Sequence, residues 1–183
     1  MITIQNLTVR FGSKTVFDHA SFELPDEGVM MLFGPSGVGK TTLLRVLAGM
    51  QRMDAGSISG LANRKISFVF QEPRLLEWLT AEQNVSVVSD AETAKGLLER
   101  LDLGDERKNP AKTLSGGQKQ RVSLARAFAY STDVVLLDEP FTGLDEENKR
   151  LAIDLIRSAR LAIVVSHDPN DAERLNACKN IVL

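Results

Sequence analysis

Hydrophobic and polar positions change rhythm along the chain. Residues 2–9 and 16–24 are rich in β-favouring side chains, and 28–33 is a short apolar run closed by glycine, so three strands are predicted. Over 40–48 the period becomes helical, with Leu43, Leu44 and Leu47 on one face and Gly49 as a natural stop. A glycine-bounded piece (56–60) and the apolar strand "ISFVF" (66–70) follow. Residues 72–130 read as mostly helical. Three capping-box patterns punctuate them: Thr80 with Gln83, Ser89 with Glu92, and Ser115 with Gln118. The last third alternates strand 134–138, helix 146–159, strand 162–166, a helix from about 169, and a final strand "NIVL". Alternating strands and helices imply an α/β fold whose parallel sheet is covered on both faces. The helical stretch reads as a subdomain inserted into that core.

Composition narrows the class. The 183 residues, 43% hydrophobic and 25% charged, fit one ordinary globular domain over 1–183. A net charge of -2 gives no electrostatic footprint for nucleic acid or an anionic membrane surface. The single cysteine, Cys178, cannot close an internal disulfide, which fits a reducing compartment. The opening "MITIQNLTVRFG" does not read as a secretion signal, and the apolar runs fall far short of the roughly 20 residues that span a bilayer. A role at a membrane would therefore go through a partner.

The strongest chemical signal is "GPSGVGKTT": Gly34, Pro35, Ser36, Gly37, Val38, Gly39, Lys40, Thr41 and Thr42. Gly34, Gly39, Lys40 and Thr41 match the phosphate-loop pattern. Glycines let the backbone wrap a phosphate without Cβ clashes, and the helix start adds partial positive charge. Lys40 supplies a mobile charge for the β and γ phosphates, and Thr41 a hydroxyl for Mg²⁺. At average residue frequencies the four fixed positions arise by chance in under roughly 1% of chains this long. The apolar strand before the loop and the amphipathic helix after it strengthen the reading.

A second feature is "LSGGQ", Leu114 to Gln118. As a helix start, Ser115 and Gln118 form an ordinary capping box. That leaves Gly116 and Gly117 unexplained, since each weakens a helix by roughly 1 kcal/mol. Bare N–H groups, a hydroxyl and a helix dipole make a second anion site. Together with the phosphate loop and the acidic strand "VVLLDEP" (134–140), this pentapeptide resembles the ATP-binding cassette (ABC) ATPase family over essentially the whole chain.

That resemblance implies a P-loop NTPase fold with a RecA-like parallel-sheet core, an N-terminal antiparallel β subdomain and a helical subdomain. It implies Mg-ATP as ligand. Ser115, Gly116, Gly117 and Gln118 would close over ATP bound to a second ATP-binding subunit, either another copy or a close homologue. Adjacent carboxylates at a strand end diverge, and the resemblance gives Asp138 the Mg²⁺ shell and Glu139 the role of general base. Gln71 matches the family's Q-loop glutamine, His167 in "SHD" its switch histidine, and Asp145 in "TGLD" its D-loop aspartate. Phe11 stands where the family usually stacks a tyrosine on adenine, and Phe17 rivals it for that role. In the helix after LSGGQ, Val122, Leu124, Ala125 and Phe128 are expected to face a core and the basic residues to face outward.

The stretch "QEPRLLEWLTAEQNV" (71–85) resembles importer ATPases of the nitrate, sulfonate and taurine type. Part of its Leu75, Leu76, Trp78 and Leu79 cluster is expected to meet a transmembrane permease, and an extracytoplasmic substrate-binding protein would complete the system. The resemblance implies a cytoplasmic protein at the inner face of the membrane, without nucleic acid. The chain ends at Leu183, short of the usual family length, so no C-terminal regulatory domain is expected. A soluble ABC ATPase of DNA repair or translation is the alternative. Such proteins usually carry long coiled-coil insertions, or paired cassettes with basic arms, and neither is visible. A kinase or switch protein with a phosphate loop would lack LSGGQ.

Overall fold

The computed structural model describes all residues from Met1 to Leu183. Strands β1 (Ile2–Phe11), β2 (Lys14–Leu24) and β4 (Ala55–Ser59) form an antiparallel sheet in the order β2-β1-β4. Five strands form the core sheet in the order β5-β6-β7-β3-β8: β3 (Gly28–Phe33), β5 (Ile66–Val69), β6 (Val134–Asp138), β7 (Leu161–Val165) and β8 (Lys179–Val182). Every pairing in the core sheet is parallel.

Side-chain alternation along the central strands divides the interior in two. Met30 and Leu32 of β3 join Leu136 and Ile163 on one face, against β1 and helix α1 (Lys40–Leu47). Val29 and Met31 join Leu137 and Val164 on the other, against helices α2 (Ala81–Ser86), α3 (Ala91–Arg100), α4 (Gly116–Ala129) and α5 (Glu146–Arg157). A sheet buried on both faces needs apolar residues at successive positions, and β6 and β7 are buried throughout. A short helix, α6 (Asn170–Arg174), leads into β8.

Two local expectations fail. The cap of α3 is Asp90, whose carboxylate accepts from the Thr93 N–H at 2.8 Å. Ser89 instead donates back to the Val85 carbonyl. The ionised carboxylate one position later is the stronger acceptor. In α4, Val122, Leu124 and Ala125 are buried and Phe128 packs on the same core, but Arg121 also points inward. Its guanidinium donates to the carbonyls of Leu101 and Asp102 at 2.6 and 2.8 Å, satisfying the C-terminal end of α3. Arg126 is half-buried and donates to the Arg74 carbonyl at 2.5 Å.

Candidate functional site

Four core strands present their carboxyl ends to one cleft, the edge where open parallel sheets bind ligands. β3 runs into the phosphate loop, β5 into Gln71, β6 ends at Asp138, and β7 leads through Ser166 to His167. The cleft, of about 510 Å³, is lined by Phe11, Ser36, Gly37, Gly39, Lys40, Thr41, Thr42, Gln71, Asp138, Glu139 and His167, with Lys14, Val16 and Val165 completing it. Pro35 and Val38 belong to the same loop; the Val38 N–H bonds back to the Pro35 carbonyl at 3.4 Å.

The loop backbone takes conformations that residues other than glycine rarely adopt. Gly34, Gly37 and Gly39 have φ of 144°, 79° and 119°. At Gly39 space is closed too, because a Cβ there would stand 2.7 Å from Val16 Cγ1 and 2.9 Å from Phe17 Cζ. Phe17 is therefore buried beneath the loop, whereas Phe11 is 48% exposed at the cleft's edge. Of the two aromatic candidates, only Phe11 offers a free ring face.

Helix α1 also differs from the other longer helices. α2, α3, α4 and α5 are capped by the side chains of Thr80, Asp90, Ser115 and Asp145, while α1 begins at Gly39 with no side-chain cap. Its first-turn N–H groups thus remain available to an anion. Lys40 is folded over the loop, donating to the Gly34 and Pro35 carbonyls at 2.6 and 3.0 Å.

Across the cleft, Thr41 Oγ1 bonds Asp138 Oδ2 and Oδ1 at 2.8 and 3.0 Å. A hydroxyl and a carboxylate converging from α1 and β6 form a hard-oxygen pair suited to a divalent cation. No cluster of three or more His, Cys, Asp or Glu side chains forms an all-protein cage. Mg²⁺ is typically held by one or two carboxylates plus phosphate oxygens, and the Thr41–Asp138 pair is a donor set of that kind. Burial pushes the Asp138 carboxyl above the usual range, against the hydrogen bond from Thr41.

Glu139, which lines the same cleft as Asp138, has a backbone φ of 51°, a left-handed conformation uncommon for a non-glycine residue. Its N–H is held by the Val165 carbonyl at 3.0 Å. One carboxylate oxygen, Oε1, lies 3.1 Å from His167 Nε2 and accepts no aligned hydrogen bond. Burial raises the Glu139 carboxyl, His167 opposes that, and Asp138 adds to it. A carboxylate of raised basicity lining a cleft is equipped to take a proton.

Ser115, Gly116, Gly117 and Gln118 do not line this cleft. Ser115 Oγ accepts from the Gln118 N–H at 3.2 Å, and the Ser115 N–H donates to Gln118 Oε1 at 2.9 Å. The glycine pair divides by cause. A Cβ on Gly117 would lie 2.7 Å from the Gly143 carbonyl oxygen, whereas Gly116 is exposed with open space around it. Asp145 also lies outside the cleft, capping α5 through the Asn148 N–H at 2.8 Å. Those bonds hold its carboxyl below the usual range.

The ABC transporter family model matches residues 17–142. The chain belongs to the ABC transporter ATP-binding family. An uncharacterized ABC transporter ATP-binding protein of Haemophilus influenzae is 40% identical, covering 96% of this chain and 79% of its own. An aliphatic sulfonates import ATP-binding protein, SsuB 1 of Pseudomonas savastanoi pv. phaseolicola, is 37% identical over 88% of this chain and 72% of its own. Among solved structures, a dimeric ATP-binding cassette in a post-hydrolysis state with ADP and Pi superposes with a TM-score of 0.87 at 25% identity. That match covers 100% of this chain and 94% of the other. The RecA-like core, antiparallel sheet and helical insert expected from the motifs are all present.

Sequence reasoning missed Val165, which lay in an expected strand, and two residues of β2. Lys14 and Val16 line the cleft from β2, but neither belongs to a motif. Only their position beside Phe11 and Phe17 in the sequence could have suggested them.

Proposed function

We propose that this protein is the ATP-binding and ATP-hydrolysing subunit of an ABC importer, working as one nucleotide-binding domain over residues 1–183 with residues 72–130 as its helical subdomain. One observation carries the proposal. Gln71, Asp138, Glu139 and His167 meet the phosphate loop in a single cleft, while Ser115–Gln118 stands outside it. Each chain then owns one complete cis site and one half-site for a neighbour.

The α1 N-terminus, Lys40 and the loop N–H groups receive the β and γ phosphates, and Phe11 offers its ring to the adenine. Thr41, Asp138 and Gln71 would hold Mg²⁺, which supplies charge neutralisation across the phosphates when bound. Glu139 takes a proton from the attacking water, and His167 stands where it can orient Glu139 and the γ-phosphate together. Ser115, Gly116, Gly117 and Gln118 close over the nucleotide of the second subunit, with Asp145 at the same junction. Binding draws two cassettes together, and cleavage of the γ-phosphate releases them.

No helix of the chain is long and apolar enough to cross a membrane. Coupling to transport therefore needs a permease, which we assign to the surface around Trp78. That side chain is 75% exposed, while Leu75 packs on the core. The loop carrying it is pinned by the buried Asn84, whose amide donates to the carbonyls of Leu76 and Thr80 at 3.0 Å each. A permease placed there would hold the chain peripherally at the inner face of the membrane, with an extracytoplasmic binding protein on the far side. The import ATP-binding proteins among its relatives support transport over the soluble alternative.

Glu139→Gln tests the core of this reading. The variant should bind ATP, lose most turnover, and accumulate as an ATP-dependent dimer in size-exclusion chromatography. A variant that stays monomeric with saturating ATP and permease present overturns the shared-site reading.

A further inference from the structure

The turn bearing His167 is fastened to α5 by a buried charge network. Lys149 has an 11% exposed side chain, with Nζ 2.7 Å from Asp171 Oδ1 and bonded to Asp168 Oδ2 at 3.1 Å. Asp171 is wholly buried, and its Oδ2 accepts from Ser166 Oγ at 2.6 Å. Ser166 Oγ in turn accepts from the Asp168 N–H at 3.2 Å. The residues on either side of His167 are thus tied, directly or through Asp171, to one ammonium group.

The same lysine reaches two other parts of the site. Its backbone N–H makes the ordinary first-turn helical bond to the Asp145 carbonyl at 2.8 Å, so the residue sits one turn along α5 from the proposed junction with the second subunit. Its Nζ also stands 5.3 Å from the centre of the Phe141 ring, in the segment that leaves Glu139. Placing an ammonium here costs desolvation, and buried ion pairs commonly add little net stability over apolar packing. What such a network supplies is geometry: it leaves the 166–168 turn one arrangement.

Resting on the ATPase reading above, we propose that Lys149 is a positioning residue for His167, holding Nε2 against Glu139 and tying that placement to the Asp145 end of α5. The inference concerns orientation, so its effect falls on turnover rather than nucleotide affinity.

The test is a double-mutant cycle on the purified full chain, assayed for Mg-ATP turnover over a protein concentration series. Lys149→Met keeps the stem and removes the charge. It should lower kcat by roughly 10- to 100-fold, the scale expected when a reacting group is misplaced, with KM for ATP nearly unchanged. Lys149→Arg should restore most of that loss. In a His167→Ala background, Lys149→Met should cost little more, because both changes remove one function. Multiplying losses, or a raised KM at constant kcat, would overturn the proposal. If Lys149→Met does not fold, Asp171→Asn is carried through the same cycle with the same two outcomes. Wild-type chain without ATP turnover at any concentration overturns the ATPase reading and this inference with it. Wild-type turnover lost in Glu139→Gln, combined with multiplying losses at Lys149 and His167, overturns this inference alone.

Discussion

Gly117 and Gly143 pack backbone against backbone, so closely that a methyl group on Gly117 would stand 2.7 Å from the Gly143 carbonyl oxygen. This joins the start of α4 to the segment that follows the acidic strand. Nearby, the Gln120 amide donates to the Pro140 carbonyl at 3.2 Å, making a second tie between the same parts.

Gly117→Ala is therefore expected to reverse the usual gain from glycine to alanine in a helix. That gain is roughly 0.5–1 kcal/mol, whereas forcing a methyl against fixed backbone costs about 1–3 kcal/mol. Gly116→Ala, in open space, should be neutral or slightly stabilising. Urea midpoints of the two variants check this, and a Gly117→Ala protein more stable than wild type would show that the contact is not tight.

The two phenylalanines near the cleft should separate cleanly. Phe17→Ala empties a buried site beneath the phosphate loop and should cost about 3–5 kcal/mol of stability. Phe11→Ala should leave stability nearly unchanged and weaken ATP binding by about 1–3 kcal/mol, the scale of one base stacked on one aromatic ring. Calorimetric titration with ATP against thermal unfolding distinguishes them; unchanged ATP affinity in Phe11→Ala removes the stacking role.

Arg121→Ala should destabilise the helical insert by about 2–4 kcal/mol, since it strands the Leu101 and Asp102 carbonyls and loses a packed stem. Denaturant unfolding at neutral pH measures it, and a loss below about 1 kcal/mol would mean water replaces the guanidinium without cost.

The Asp145 cap predicts an acid-sensitive contribution. Its carboxyl is held below the usual carboxylate range because the Asn148 N–H and amide bind the ionised form. A depressed carboxyl contributes stability above its unfolded pKa and loses it as pH falls through the folded value. Asp145→Ala should thus be less stable than wild type at pH 7, with the gap closing under acid. Asp145→Asn, an uncharged cap, should show no such closing. A constant gap for Asp145→Ala between neutral and strongly acid pH would falsify the assignment.

The sequence carried most of the core and the cleft, for identifiable reasons. Strands β3, β6 and β7 are buried on both faces and read as unbroken apolar runs. Gly34, Gly39, Lys40 and Thr41 were legible because phosphate chemistry restricts residue type and spacing together. The inward turn of Arg121 was not legible, since helical periodicity marks a face as polar but does not say when a carbonyl awaits a donor. Lys149, Ser166 and Asp171 escaped for a related reason: they lie 17 and five positions apart, and only the parallel sheet brings them together. Gly117 was visible, but its cause was not, because the partner surface belongs to Gly143.

On the shared-site proposal, the separation of Ser115–Gln118 from the cleft would also set the concentration law of the protein. A cis site that turns over only when a neighbour's Ser115–Gln118 closes it would spend no ATP while the chain is alone. Its specific activity should rise with protein concentration and level off once assemblies are saturated. A permease that gathers two copies would then ration fuel by controlling encounter frequency, and idle subunits would draw nothing from the cell's ATP pool.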